Sequence, residues 1–342
     1  MKSLPPRLAI AANESTPLAK IPALVAALSE ATGASGTCAL DPSIPGSVWW
    51  NALTGPATAF LARPGKDLRA RFVHLGGQLG GGAPVATLDA VAHVLEIVHA
   101  GSLIVDDVED RGEERRGEPA LHLLVGDPLA INTGTWMYFR ALAELSRLDL
   151  PQALPLAVAA LARCHQGQAL DLSTRIVDLA ARDVPGVVAA TTSLKTGVLC
   201  RLALELGALA AGAPPDLRRQ IGDLGEAAGC ALQMLDDLGC LVSAARRDKA
   251  YEDLRALRPT WAWAWLAGTG DPFTWTRLTA QARAGTDLPA LADALAERVE
   301  PIGRRAIRAR IDRALAGVRE FAEGPVVDAI ARDLSAMERM YG

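Results

Sequence analysis

Two adjacent aspartates, Asp236 and Asp237, interrupt the run Cys230-Ala-Leu-Gln-Met-Leu-Asp-Asp-Leu-Gly-Cys-Leu, in which every other position except Gln233 is apolar or glycine. Buried carboxylates without partners are costly, so a helix of this composition must aim them at cations or at a polar hollow. A second acidic cluster, Asp106, Asp107, Glu109 and Asp110, closes another apolar stretch that runs through Ser102-Leu-Ile-Val105. On a helix Asp106 and Asp110 share a face one turn apart with Asp107 beside them, so their oxygens can converge on hard divalent cations. A single acidic helix end is usually just solvated. Two of them, in apolar helices far apart in the chain, read instead as metal sites facing each other across a cavity. Cations able to hold an anion between them are at hand: Lys66 and Arg69, Arg115 and Arg116, Lys195, and Lys249, with His99 two turns below Asp106.

The scaffold that carries these groups reads as all-α. Ala and Leu are abundant, aromatic residues make up 4% of the chain, and apolar residues recur at three- and four-residue spacing. The pattern predicts helices over about 16–33, 66–81, 86–107, 119–146, 152–170, 184–211, 215–242, 258–267, 286–318 and 325–341, with turns at Gly80-Gly-Gly82, Gly212-Ala-Pro-Pro215 and Gly268-Thr-Gly-Asp-Pro272. The Pro-, Gly- and Trp-containing segment 36–64 reads as an irregular or short-helix connection. No composition shift cuts the chain, so residues 1–342 are expected to form one helical domain. The net charge of −4, with both signs interspersed, argues against nucleic acid and for small-molecule partners. Five scattered cysteines without a CxxC pair suggest neither disulfides nor a zinc site and fit a reducing, cytoplasmic compartment. Charges, Pro or Gly interrupt every apolar run short of the roughly 20 residues that span a bilayer, so no membrane span is expected.

These residues resemble the trans-isoprenyl diphosphate synthases, or polyprenyl synthetases, from about Gly65 to Thr260. Gly65-Lys-Asp-Leu-Arg69 looks like the family's GGKxxR segment. His99 to Gly117, with Asp106-Asp-Val-Glu-Asp110 and Arg115-Arg-Gly117, is similar to the first aspartate-rich motif and its following RRG. Gly167-Gln-Ala-Leu-Asp-Leu172 looks like GQxxDL, Lys195-Thr-Gly197 like KTG, and Gln233 with Asp236-Asp237 like the second aspartate motif; Lys249 and Asp253-Leu254 resemble the region downstream. Six segments in the family's order make the likeness specific.

The resemblance implies a single large helical bundle around a deep central cavity, the isoprenoid synthase type I fold, usually as a homodimer. It implies that Asp106, Asp107 and Asp110 hold two Mg2+ ions and Asp236 a third about an allylic diphosphate. Arg115, Lys195, Thr196, Gln233 and Lys249 would complete that anion site, and Lys66, Arg69, His99 and Arg116 would bind isopentenyl diphosphate. The reaction would be magnesium-dependent prenyl transfer, in which dications and fixed cations stabilise the departing diphosphate where its charge develops. An apolar pocket would keep the carbocation from water.

The chain departs from the family at three places. Cys240 stands where the second motif usually ends in a third aspartate, Leu257 and Arg258 stand for a glycine and a lysine, and Val105 stands where many relatives carry histidine. Gly101, about 7.5 Å below Asp106 at the helical rise, replaces an aromatic residue that in the family stops chain growth early. With the small Ser102 beside it, that predicts a product longer than farnesyl, geranylgeranyl diphosphate being the simplest. Two other functions share part of this chemistry: a class I terpene cyclase acting on one allylic diphosphate, and a noncatalytic subunit of a heteromeric synthase. Lys66, Arg69, His99 and Arg116 together favour condensation over cyclisation, and the intact first motif argues against the noncatalytic role.

Overall fold

A computed structural model describes residues 40–65 and 67–319, so the helices expected at 16–33 and 325–341, and Lys66 itself, lie outside the described residues. A helical turn at Gly46–Trp49 and a π turn at Trp50–Thr54 lead into α1, Gly55–Leu61. Then come α2 (Leu68–Leu79), α3 (Val85–Glu109), a two-stranded ribbon of β1 (Glu114–Arg115) and β2 (Glu118–Pro119), α4 (Leu121–Val125), α5 (Asp127–Leu145) and α6 (Ala153–Ser173). The chain continues through α7 (Val184–Thr192), a π turn at Ser193–Gly197, α8 (Val198–Ala210), α9 (Pro215–Val242), α10 (Arg247–Arg255), α11 (Trp261–Gly268), α12 (Pro272–Ala284) and α13 (Leu288–Val318). The all-α expectation holds, with the ribbon as the one sheet among the described residues.

The apolar periodicity explains what packs on what. In α3, Leu88, Val91, Leu95, Val98 and Ile104 turn inward, and in α9 Ile221, Leu224, Ala228, Leu235 and Leu238 do the same. α3 lies along α5, α8 lies between α2 and α9, and α9 backs onto α13, so one buried cluster extends from Ala57 to Val318. The acid-bearing ends of α3 and α9 are fixed by this core.

Three expectations about elements need correction. The helix expected over 119–146 breaks at Gly126, where φ is +83° and Pro128 follows at the new helix's first turn; proline cannot continue a helix from the residues before it. α10 and α12 were absent from the expected set because each buries little: Ala250 and Leu254 in α10, and Thr274, Leu278 and Ala282 in α12. α12 is instead marked by its cap, for Asp271 Oδ1 accepts from the backbone N–H of Phe273 (3.1 Å) and Thr274 (3.0 Å), and Gly285 ends the helix at φ +65°. Finally, Val85–Glu109 and Val184–Ala210 are long and apolar enough to cross a bilayer, with mean hydropathies of 1.6 and 1.3. More than half of each is buried inside the bundle, and charged residues interrupt both, as core helices allow.

Candidate active site

The first motif sits at the C-terminal end of α3, and its three aspartates do not share one environment. Asp106 and Asp110 each keep 17% of their side chain exposed, while Asp107 keeps 1%. Asp107 is turned inward against Arg115, whose Nε donates to Oδ1 at 2.8 Å and whose Nη2 is closer still. Its other oxygen is buried without a partner. Burial, opposed by Arg115 and reinforced by the Asp106 charge, raises the Asp107 pKa. The expected trio is therefore a pair, Asp106 and Asp110, open to the hollow, and a third carboxylate that locks Arg115.

Asp106 is the most heavily partnered. Lys195 Nζ lies 3.1 Å from Oδ1, Gln168 Nε2 donates to the same oxygen at 3.0 Å, and Arg115 Nη2 is 3.6 Å from Oδ2. Burial works to raise its pKa, but the Lys195 and Arg115 charges and the Gln168 hydrogen bond outweigh it and hold the carboxyl below its ordinary value. Lys195 reaches Asp106 from the π turn between α7 and α8 and also binds Asp171 of α6 at 2.6 Å. Burial would lower the lysine's pKa, yet the two carboxylates raise it. Such one-turn π bulges recur at functional positions because they re-aim side chains.

The second motif answers from α9. Asp236 is gripped by Lys249 at 2.6 Å and, more tightly, by Arg246; burial opposes these cations, and they prevail, leaving its pKa depressed. Asp237 accepts from Gln233 Nε2 (2.8 Å) and the Trp261 backbone N–H (2.9 Å), but burial dominates and pushes its pKa up to about 7. Gln233 also accepts from the Thr196 hydroxyl at 3.0 Å. Thr196 and Gln233 thus form a relay ending on Asp237, joining the π turn to α9.

Arg258 closes the circuit between the motifs. It pairs tightly with Asp110 of the first motif and stands 3.5 Å from Asp253 of α10. Asp253 lies one turn beyond Lys249, the partner of Asp236, and feels both the Asp171 and Asp236 charges; burial and these charges push its pKa up to about 6. Residues from α3, α6, the π turn, α9 and α10 therefore meet in one charged cluster. Gln168, Asp171, Arg246, Asp253 and Arg258 were not among the expected site residues. The motif spacing around Gln168-Asp171 and Asp253 could have found three of them, and Arg258 stands at the place already noted for the family's lysine; Arg246 carries no such signal.

A second, cationic pocket adjoins the first. Half-buried Arg69 of α2, His99 of α3 and Arg116 of the ribbon turn gather around Glu96, whose Oε1 accepts the Ala70 N–H at 3.3 Å. Burial, then Arg69, Arg116 and Arg115, drive the His99 pKa well below its usual value, so this imidazole is neutral at pH 7 and offers a single N–H. Arg69 Nε is buried with no hydrogen-bond partner, a donor awaiting an acceptor. The turn presenting Arg116 is a two-residue hairpin with φ +58° at Arg116 and +79° at Gly117, in the register Arg115↔Glu118. Positive φ at both central residues is the type I′ signature, and the second position is where glycine costs nothing.

The departures also find reasons. Cys240 is 2% exposed, its thiol pushed up to about 12 by burial and then by Asp236, so it presents no thiolate to the hollow. It lines a cavity of about 10 Å³ with Asp237, Asp253 and Thr260, room for one water. Leu257 takes the left-handed conformation, φ +60°, that a glycine would take without strain, and its carbonyl accepts the Ile176 N–H at 2.8 Å. The Val105 methyl Cγ2 rests against Gly134 of α5, which accounts for an apolar residue there.

Gly101 differs from its expected role. A Cβ on Gly101 would stand 2.7 Å from the Gly134 carbonyl oxygen and 3.2 Å from Met137 Cβ, and a Cβ on Gly134 would stand 2.8 Å from the Gly101 oxygen. Gly101 is the point where α3 and α5 touch through their backbones, not an opening in a channel wall. Ser102 bonds back to the His99 carbonyl at 2.8 Å. The aromatic surface near Asp106 is instead Tyr138 of α5, its ring edge-on to His165 of α6 at 6.0 Å; burial, then the Glu109, Cys164 and Asp106 charges, raises its hydroxyl pKa.

An all-α bundle in which two acidic motifs and their flanking cations meet in one charged cluster is the class of protein that the fold and the site define. The polyprenyl synthetase family model matches residues 51–279, about two thirds of the chain, and the protein belongs to that family. It is 34% identical over 185 residues to geranylgeranyl pyrophosphate synthase 2 of Zymoseptoria tritici, covering 54% of each chain. It is 36% identical over 174 residues to a geranylgeranyl pyrophosphate synthase of Hypoxylon pulicicidum, covering 51% of this chain and 44% of that one. The chain thus spans about half the length of the curated relatives it matches. Its fold superposes on the crystal structure of geranylgeranyl pyrophosphate synthase from Lactobacillus brevis with a TM-score of 0.74 and 24% identity, over 94% of this chain and 96% of that one.

Proposed function

We propose that this protein joins an allylic diphosphate to isopentenyl diphosphate, head to tail and in trans, and releases a longer polyprenyl diphosphate. The observation that carries this reading is the pairing of two anion pockets. One is formed by Asp106, Asp110 and Asp236 with their cations, and the other by Arg69 and Arg116 with the neutral His99, around Glu96 beside it. A cyclase acting on one diphosphate has no use for the second.

The donor set fits magnesium. It is carboxylate oxygen throughout, the choice of a hard dication, with Asp106 and Asp110 each keeping part of the side chain exposed. Among the described residues no three acidic, imidazole or thiol groups converge tightly enough to cage an ion. Mg2+ keeps waters and is usually held by one or two carboxylates plus substrate phosphates. Asp106, Asp110 and Asp236 would hold it, and bound there it supplies positive charge to the departing diphosphate.

The protein's own residues do the rest. As the allylic C–O bond breaks, its electron pair leaves with the diphosphate, and Lys195, Lys249, Arg246 and Arg258 stand ready to exchange their carboxylate partners for that growing charge. Arg69, Arg116 and neutral His99 orient isopentenyl diphosphate so that its double bond attacks the allylic cation. The resulting cation loses a proton to the released diphosphate, and no side-chain base is required.

Geranylgeranyl diphosphate is the proposed product, supported by the names of the relatives above, with Tyr138 rather than Gly101 as the chain-length wall. The proposed assembly is a homodimer in the cytoplasm. Outward-facing Ile131 and Phe139 of α5 and Val158 of α6 support a second copy as partner, and free Cys164, Cys200, Cys230 and Cys240 support a reducing compartment. The test is incorporation of labelled isopentenyl diphosphate into a longer chain. A lone allylic diphosphate turned into a cyclic hydrocarbon would refute the reading.

A further inference from the structure

Arg63 belongs to none of the motifs above, yet it is an arginine only 2% exposed, and its surroundings form a clasp. Its Nη1 donates to the Arg115 carbonyl at 3.2 Å, and in return Arg116 Nη1 donates to the Arg63 carbonyl at 3.3 Å. Both guanidinium groups stack over the fully buried Phe60, at 5.1 Å and 5.7 Å from the ring centroid. Arg63 Nε also lies 3.3 Å from Glu118, the strand partner of Arg115. The loop after α1 is thereby tied to the ribbon turn by two reciprocal side-chain-to-backbone bonds, a shared aromatic platform and an ion pair.

The tie has something to hold. Arg116 adopts φ +58°, a conformation that a bulky L-residue seldom keeps without surrounding support. Turning Arg116 out of it would swing its guanidinium away from Arg69 and His99. The same loop continues through Gly65, whose added Cβ would stand 3.5 Å from the Arg116 guanidinium carbon. One clasp therefore sets both the turn that carries Arg116 and the loop that leads into α2 and Arg69.

We infer that Arg63 is the positioning residue of the isopentenyl diphosphate pocket: it touches no substrate, and it fixes the turn that aims Arg116 at the diphosphate. The inference rests on the condensing reading of the second pocket. It predicts a separation between the two substrates that a general packing role would not give: Arg63 meets Arg115 only at its backbone carbonyl, while the Arg115 side chain is held by Asp107, so the loss falls first on Arg116.

The experiment is calorimetric titration of isopentenyl diphosphate, and separately of a farnesyl thiolodiphosphate that ionises too slowly to react, into wild type and Arg63→Met. Losing the bonds that hold the turn should weaken isopentenyl diphosphate binding by about tenfold, while the farnesyl analogue binds within about twofold of wild type. If Arg63→Met does not fold, Arg63→Lys keeps the charge and loses the fork, and it should show the same separation at about threefold. Unchanged isopentenyl diphosphate binding, or equal weakening of both ligands, would overturn the inference. A wild type that binds the farnesyl analogue but no isopentenyl diphosphate would instead remove the condensing reading, and this proposal with it.

Discussion

Replacing Gly101 separates two accounts of product length. If the glycine lined the channel, Gly101→Ala would be silent or slightly stabilising, since alanine gains about 1 kcal/mol over glycine inside a helix, and Gly101→Phe would fold normally and shorten the product. In the structure the new Cβ meets the Gly134 carbonyl oxygen at 2.7 Å and Met137 Cβ at 3.2 Å. One obstacle is backbone, so α3 and α5 must part. Overpacking of this kind costs about 1–3 kcal/mol, and after the helical gain of about 1 kcal/mol the net loss for Gly101→Ala is about 0–2 kcal/mol. At roughly 2 °C per kcal/mol for a domain of this size, Tm should fall by up to about 4 °C with product length unchanged. Gly134→Ala should behave alike, and the double variant should lose less than the sum because the helices part only once. Thermal melts with product sizing decide it. A Gly101→Phe protein as stable as wild type that makes a shorter product would refute the packing account.

Three other outcomes follow from the same geometry. Asp106→Ala should lower turnover by at least about a thousandfold while the helical circular dichroism spectrum stays the same, because Lys195 retains Asp171; retained activity would contradict the metal assignment. Tyr138→Ala should lengthen the product by one or more five-carbon units, read by chromatography of the dephosphorylated alcohols, and an unchanged product would move the wall elsewhere. Asp253, raised to about 6 by burial and its acidic neighbours, binds its proton more tightly folded than unfolded. Its contribution to stability is fully present below about pH 4 and is lost as pH rises through 6. Denaturant melts of metal-free protein should therefore lose stability between about pH 4 and 6, and Asp253→Asn should flatten that slope; an unchanged slope would show that Asp253 does not titrate there.

What could be read from the sequence depended on whether the signal was periodic. α3 and α9 bury long apolar stripes, so both their extents and the acids breaking those stripes were legible. α10 and α12 bury two or three residues each and carry no stripe to detect. The acids of the site were visible because carboxylates inside apolar helices are anomalous. Arg246 was not, because a single arginine in a sequence has no direction until the turn before α10 brings it against Asp236, and Arg258, marked by its place in the resemblance, gave no hint of its partner Asp110. Arg63 shows the same limit from the other side, since only the folded loop reveals that its side chain is buried. Gly101 was noticed but misread, because sequence gives its height on α3 and not the neighbour across from it.

The most direct measurement of the central claim supplies purified protein with magnesium, radiolabelled isopentenyl diphosphate and each allylic diphosphate in turn, and sizes the labelled products. The account predicts label in a twenty-carbon diphosphate, formed only when both substrates and the metal are present. Label confined to unreacted isopentenyl diphosphate in every mixture would contradict it.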